Sequence, residues 1–140
     1  MFFSTRELIQ VHNQHNPYVE IVLLDRTKND LVVNLKYEEL SISKNETTLY
    51  VAPICFFDRE QCICSDLVVT NLRILFKNGF DYTSQFSLGE IKKWQILNDE
   101  TVLLEFDSYK IAMITDSSLV PFIYQMISVA KERYMTICHV

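Results

Sequence analysis

The chain has 140 residues, with 49% apolar and 22% charged side chains and a net charge of −5. The length is that of one domain, and the balance is that of a chain that buries a core rather than staying disordered. Two glycines and three prolines argue against collagen-like chains, glycine linkers and glycine-rich phosphate loops. The acidic balance argues against general nucleic-acid binding, which rests on a basic surface. No apolar run reaches the ~18 residues of a membrane helix. No hydrophobic signal region follows Met1-Phe2-Phe3-Ser4, so the expected compartment is the cytoplasm or the nucleus.

A short helix is predicted over residues 5–11, with Leu8, Ile9 and Val11 as its apolar face. The polar run His12-Asn13-Gln14-His15-Asn16-Pro17 is expected to end it. Residues 18–24 and 31–35 are rich in β-formers on either side of the turn Asp25-Arg26-Thr27-Lys28-Asn29-Asp30. They are expected to pair as a hairpin, continued by residues 40–43 up to the turn Lys44-Asn45-Glu46. From Thr47 the predicted strands are short and closely spaced: 49–51, 54–57, 62–70, 72–76, 86–88, 91–97, 101–106 and 110–114. The turn signals between them include Asp58-Arg59-Glu60-Gln61, Asn71, Lys77-Asn78-Gly79, Asn98-Asp99-Glu100 and Asp107-Ser108. Strands at that spacing predict a small barrel or sandwich.

Residues 117–135 differ in kind. Asp116, Ser117 and Ser118 are N-cap types, Pro121 falls in the first turn, and Lys131 and Arg133 suit the C-terminal end of a helix dipole. Leu119, Phe122, Ile123, Met126, Ile127, Ala130 and Tyr134 recur at three- and four-residue steps. The stripe needs a partner and an open barrel needs a plug, so Phe122, Ile123, Met126 and Ala130 are expected to face Val69, Ile74, Phe76, Leu104, Phe106 and Ile111.

Strands followed by one C-terminal helix is the plan of the pleckstrin-homology (PH) superfold, here a partly open barrel of about seven strands. The segment Asp66-Leu67-Val68-Val69-Thr70-Asn71-Leu72-Arg73-Ile74-Leu75-Phe76 resembles the "L-Y-V-T-N-Y-R-L-I-F" segment of GRAM domains, the PH-like modules of myotubularin-type proteins. Ser87-Leu88-Gly89-Glu90-Ile91 is similar to the "P-L-G-x-I" start of a later strand in that family. The resemblance covers roughly residues 47–135. It divides the chain into an N-terminal extension, 1–46, and a PH/GRAM-like domain, 47–140. Cys64, Ser65 or Asp66 stands where the family usually has a glycine, and residues 1–46 have no counterpart in it. PH-like families from endosomal sorting, ciliary coat, transcription-factor and splicing-assembly proteins share the same strand pattern, and the residues do not choose among them.

Nothing in the sequence suggests catalysis. There is no G-x-S-x-G, phosphate loop, dinucleotide fingerprint, H-E-x-x-H or C-x5-R loop. The three histidines, His12, His15 and His139, fall in stretches expected to be mobile. Cys55, Cys62, Cys64 and Cys138 lack the C-x2-4-C turn of a structural zinc site, and the C-x-C step is expected to direct its sulfurs apart. The expectation is a non-enzyme with no metal, no cofactor and no disulfide.

Two binding readings remain. A PH-like lipid reader would present Lys and Arg to inositol phosphates, and the candidates are Lys28, Arg59, Arg73, Lys77, Lys92 and Lys93, each diluted by acidic neighbours. Arg73 also reads as a strand arginine paired with an acid across the sheet. An adaptor would use a sheet edge, a groove beside the helix, or the N-terminal segment, where Phe2, Phe3, Leu8 and Ile9 form an apolar patch. The acidic charge favours the adaptor, a subunit of a hetero-complex. The alternative is a phosphoinositide or membrane-surface module in membrane trafficking. On the adaptor reading, the barrel should stay folded without residues 1–17.

Overall fold

The computed structural model of the chain describes residues 5–25, 30–36, 45–58, 60–78 and 81–138. In chain order the elements are α1 (Thr5–His15), β1 (Val19–Asp25), β2 (Asp30–Leu35), β3 (Thr48–Asp58), β4 (Gln61–Thr70), β5 (Arg73–Asn78) and β6 (Asp81–Ser87). A single 3-10 turn at Leu88–Glu90 leads to β7 (Lys93–Asn98), β8 (Thr101–Glu105), β9 (Lys110–Ile114) and α2 (Val120–Cys138). The architecture is mainly β. A seven-stranded antiparallel sheet in the order β6-β5-β4-β3-β9-β8-β7 curls into a partly open barrel, and β1 and β2 form a separate hairpin. The expected strand continuation at 40–43, the glycine of the Asn78-Gly79 turn and His139 lie outside the described residues.

Strand β3 runs unbroken through Pro53, where the sequence predicts two shorter strands. It pairs with β4 along its length but with β9 only at Cys55 and Phe56. At Pro53 the strand therefore has one neighbour, and a residue without an N–H is tolerated there. The Pro53 carbonyl accepts the Thr115 hydroxyl at 2.7 Å. Strand β4 is buried on both faces over its last four residues, Leu67, Val68, Val69 and Thr70, as a central strand covered on each side must be.

The open side of the sheet lies between its edge strands β6 and β7. Aromatic rings bridge from one half to the other: Phe56 stacks on Phe76 at 4.7 Å, Phe76 meets Phe86, Phe86 meets Phe106 at 4.8 Å, and Phe106 stacks on Tyr109. Helix α2 packs against β3, β4, β7, β8 and the 3-10 turn. Asp116 Oδ1 accepts from both the Ser118 amide and the Ser118 hydroxyl just ahead of it, and these bonds hold its carboxyl below the usual carboxylate range. Leu119, Phe122, Ile123, Ile127 and Ala130 are buried as expected, whereas Met126 is half-buried. The fully buried line of the helix runs through Leu119, Ile123, Ile127 and Ala130, so Met126 flanks the seam. Ile111 is likewise half-buried, while Val69, Ile74, Phe76, Leu104 and Phe106 are in the core.

The N-terminal elements depart most from expectation. Helix α1 does not stop at residue 11 but continues through His15. Its buried residues are Ile9 and His12, while Leu8 and Val11 are 40% and 39% exposed. The polar run continues the helix because its side chains find tertiary partners. Asn13 Oδ1 accepts the Ile21 amide, and its Nδ2 donates to the Ile21 carbonyl. Asn16 Nδ2 donates to the Val51 carbonyl, and its Oδ1 accepts from the amides of Tyr18 and Val19. These bonds fix both amide orientations and hence the His12 tautomer. Nδ1–H donates to Asn13 Oδ1 at 2.9 Å, and Nε2 accepts the Tyr50 hydroxyl at 2.7 Å. Far from lying in a mobile stretch, His12 is wholly buried, with its ring 4.6 Å from that of Phe122 on α2. Val19 and Ile21 of the hairpin also enter the core.

Two outcomes test this packing. Burial, with Lys36 nearby, lowers the His12 pKa from its ordinary value of 6.5 against a smaller opposing pull from Asn13. The neutral ring is thus the folded form, and its contribution is complete above pH 6.5 and lost as pH falls through the lowered folded value. Urea melts should show wild-type stability falling as pH drops below 6.5 toward the lowered folded value, with that component absent in His12→Gln. Ile127→Asp should bury an unpaired charge and cost several kcal/mol, about twice the loss from Met126→Asp at its half-exposed site, measured by the same melts.

Candidate interaction surface

The Thr70-Asn71-Leu72-Arg73 step is the β4–β5 turn, and each polar residue in it has a structural task. Thr70 Oγ1 accepts the amides of Leu72 and Arg73 at 3.1 and 3.0 Å. Asn71 binds Thr47 through both its backbone and its side chain, its Oδ1 accepting the Thr47 amide at 2.7 Å. Glu46, with a side chain 0% exposed, lies against the turn and accepts Arg73 Nε at 2.8 Å and Nη2 at 2.9 Å in a two-pronged pair. The Thr70 hydroxyl reaches the same carboxylate at 2.6 Å, and Arg73 Nη1 donates to Gln85 Oε1 on β6. The motif thus clamps the chain just ahead of β3 onto the turn.

The second motif is equally structural. Ser87 Oγ accepts the Gly89 amide and caps the 3-10 turn, while Leu88 and Ile91 are in the core. A Cβ at Gly89 would stand 3.2 Å from the Tyr134 ring, so glycine allows the ring to lie close. Lys131 donates from α2 to the carbonyls of Leu88 and Ile91 at 2.6 and 2.9 Å, and burial lowers its pKa. Trp94 Nε1 donates to Ser128 Oγ at 2.7 Å, tying β7 to α2 as a half-buried residue.

The sequence-derived cations are dispersed and opposed. Arg73 binds Glu46, and Lys92 Nζ is 3.9 Å from Asp107. Lys77 sits directly opposite Asp66 on β4, and Lys93 opposite Glu105 on β8. Glu105 also pairs with Lys110 at 3.2 Å. Lys28 and Arg59 lie outside the described residues, as do Phe2 and Phe3. Of the N-terminal apolar candidates that are described, Leu8 is exposed and Ile9 is buried in the core.

A sheet edge and a groove were expected without residues to place them, and the structure supplies both. Strand β7 ends the sheet order with no strand on its outer side among the described residues, and it carries Ile96 at 46% and Leu97 at 52% exposure. The signal was the unbroken Trp94-Gln95-Ile96-Leu97 run, which has no polar residue beyond Gln95. The groove, of about 430 Å³ and open to solvent, is lined by residues that include Cys55, Cys64, Asp66, Lys77 and Asp116. The expected divergence of the C-x-C sulfurs is overturned. Residues two apart on a strand share a face, and Cys64 stands directly opposite Cys55 on β3. Among the described residues no group of three or more His, Cys, Asp or Glu is arranged to hold a metal, and no helix is long and apolar enough to cross a membrane.

No protein-family model and no curated protein matches the sequence. By structure the chain is similar to the C-terminal domain of an unknown protein from Leishmania infantum, at TM-score 0.51 and 12% identity over 61% of this chain and 84% of that one. It is also similar to the linker-DH/PH domains of p115-RhoGEF, at TM-score 0.54 and 8% identity over 69% of this chain and 32% of that one. At such identities the likeness is one of fold, and the fold is PH-like.

The Glu46–Arg73 pair provides the test of the clamp. Arg73→Ala leaves a carboxylate buried without its guanidinium and should cost about 3 kcal/mol, lowering Tm by about 10 °C in a thermal melt. The double variant Glu46→Gln, Arg73→Ala should recover part of that loss.

Proposed function

We propose that the protein is a non-catalytic adaptor whose PH-like barrel holds another protein within a larger complex. A PH-like fold is compatible with protein or phosphoinositide binding, and the choice rests on the surface. The observation that carries the reading is the β7 edge, which has no strand neighbour on its outer side among the described residues and exposes Ile96 and Leu97. An open edge offers main-chain hydrogen bonds to an extended segment of a partner, and the two apolar side chains supply contact area on either face of such a strand. Phosphoinositide headgroups need convergent, uncompensated cations. Here Arg73, Lys77, Lys92 and Lys93 each face a carboxylate residue, on a chain of net charge −5. Within the PH-like superfold, residues 66–76 and 87–93 support a GRAM-type placement, since both quoted segments serve as the turn clamp and the glycine-dependent 3-10 turn.

The expectation that the barrel stays folded without residues 1–17 is revised, because within that stretch His12 and Asn16 complete the hydrogen bonding of buried Tyr50. The partner surface belongs to the barrel. In an affinity capture from the native source, the double variant Ile96→Lys, Leu97→Asp should recover at least ~10-fold less of a stoichiometric partner while melting like the wild type. Vesicles containing phosphoinositides should not sediment the protein at physiological salt. Tight, salt-sensitive vesicle binding abolished by Lys92→Ala and Lys93→Ala would replace the adaptor with the membrane-trafficking reading.

A further inference from the structure

We propose that Cys55 and Cys64 form a dithiol modification site that a peroxide oxidises to a disulfide within the chain. The two residues are direct cross-strand partners in the β3–β4 ladder, and their sulfurs are 2.7 Å apart. That separation is within 1 Å of the S–S bond length of about 2.05 Å, so oxidation requires no rearrangement of the sheet. Directly opposed residues of an antiparallel pair already place their Cβ atoms near the spacing a disulfide spans. The pair lines the open groove, with Cys64 exposed and Cys55 half-buried, so a small oxidant reaches it from solvent. The inference is independent of the adaptor reading, since Cys55 and Cys64 lie on β3 and β4, neither of which is next to β7 in the sheet order.

The geometry also assigns roles. Cys64 is exposed and Cys55 half-buried, so an oxidant in solution meets Cys64 first, and the hydrogen bond with Cys64, followed by burial, pushes the Cys55 thiol up. The exposed Cys64 is the attacking sulfur. Its thiolate attacks one peroxide oxygen, the O–O bond breaks, and the departing hydroxide takes a proton to leave as water, giving a sulfenic acid on Cys64. Formation of that acid removes the thiolate charge facing Cys55. Cys55 then loses its proton and attacks the Cys64 sulfur, the S–O bond breaks, and the hydroxide leaves with that proton as a second water. Two thiols and one peroxide give one disulfide and two waters. Each sulfur loses one electron, and the two peroxide oxygens gain them.

Cys62 is the rival, being exposed and on the same face. It stands opposite Phe57 rather than Cys55. A bond from it to Cys64 would have to span two residues along one extended strand, about 6.6 Å between Cα atoms, at the far limit of disulfide geometry.

The experiment treats the full-length chain with equimolar hydrogen peroxide, alkylates the remaining thiols and measures intact and peptide masses. The intact chain should lose two hydrogens, and the β3 and β4 peptides should be joined until dithiothreitol separates them. Cys62 and Cys64 share a peptide, so variants make the assignment. Cys62→Ser should form the link as fully as the wild type, and Cys64→Ser should lose at least ~10-fold of it while keeping its far-ultraviolet spectrum. A link that survives Cys64→Ser, a sulfinic acid on Cys64 with Cys55 still alkylated, or thiols that all remain reduced would each overturn the proposal.

Discussion

A phenol hydroxyl removed from water needs hydrogen-bond partners inside the protein, and Tyr50 sets this requirement for the whole chain. Its side chain is fully buried near the start of β3, and its O–H reaches His12 Nε2 and Asn16 Nδ2 on the segment that precedes the barrel. Those residues come together only if α1 runs past residue 11 and the chain turns at Asn16 into β1. Asn16 in turn fixes the start of the hairpin by accepting the amides of Tyr18 and Val19. One buried polar atom therefore recruits a helix, a turn and a hairpin, and no buried side-chain polar atom among the described residues is left without a partner. The described part of the N-terminal extension, α1 and the β1–β2 hairpin, is a structural part of the fold, even though the sequence motif that suggests the fold begins after it.

The barrel was legible because strands with turn signals and a helix with a 3.6-residue stripe are local properties. β4, β5 and β7 through α2 were expected within a few residues of where they stand, whereas β6 begins at Asp81, five residues ahead of the expected 86–88, and Leu88 belongs to the 3-10 turn. The exceptions have specific physical causes. Pro53 suggests a break, but β3 has one neighbour there, and nothing local encodes how many neighbours a strand has. The run from His12 to Asn16 suggests a helix end because its polar groups have no helical partners. They are satisfied by Ile21, Tyr50 and Val51, residues up to 38 positions away. Met126 and Ile127 both lie on the predicted stripe, and the rotation of the helix puts Ile127 in the seam with Met126 beside it. The acid that pairs with Arg73 was expected, but its identity as Glu46, 27 residues upstream, depends on the turn clamp. The thiol pair was obscured by a face assignment that the period of two reverses.

The electrostatic pattern follows from the same antiparallel pairing. Placing an acid opposite a base across two strands contributes modestly to stability, roughly 0.2–1 kcal/mol per exposed pair. It also removes the local field that would draw an anionic ligand. Arg73 goes further, because its partner is buried and its guanidinium joins β5 to the segment ahead of β3 and to β6. Hydrophobic contact is then the attraction left available on the β7 edge, where Ile96 and Leu97 are exposed beside a row of backbone groups that has no strand neighbour among the described residues.

The contact between His12 and Phe122 bears on the order of events at the ribosome. Helix α1 packs chiefly on β1 and touches α2 through the His12 ring, so the Phe122 side of its site is completed only when synthesis has passed α2. Until then the hairpins whose partners are close in sequence, such as β3–β4 and β4–β5, are the structures able to form. Contacts between residues so distant along the chain are slow to close. During translation the nascent protein exposes the strands that α2 will later cover, and that interval is when a chaperone that binds extended apolar segments would have the most to hold.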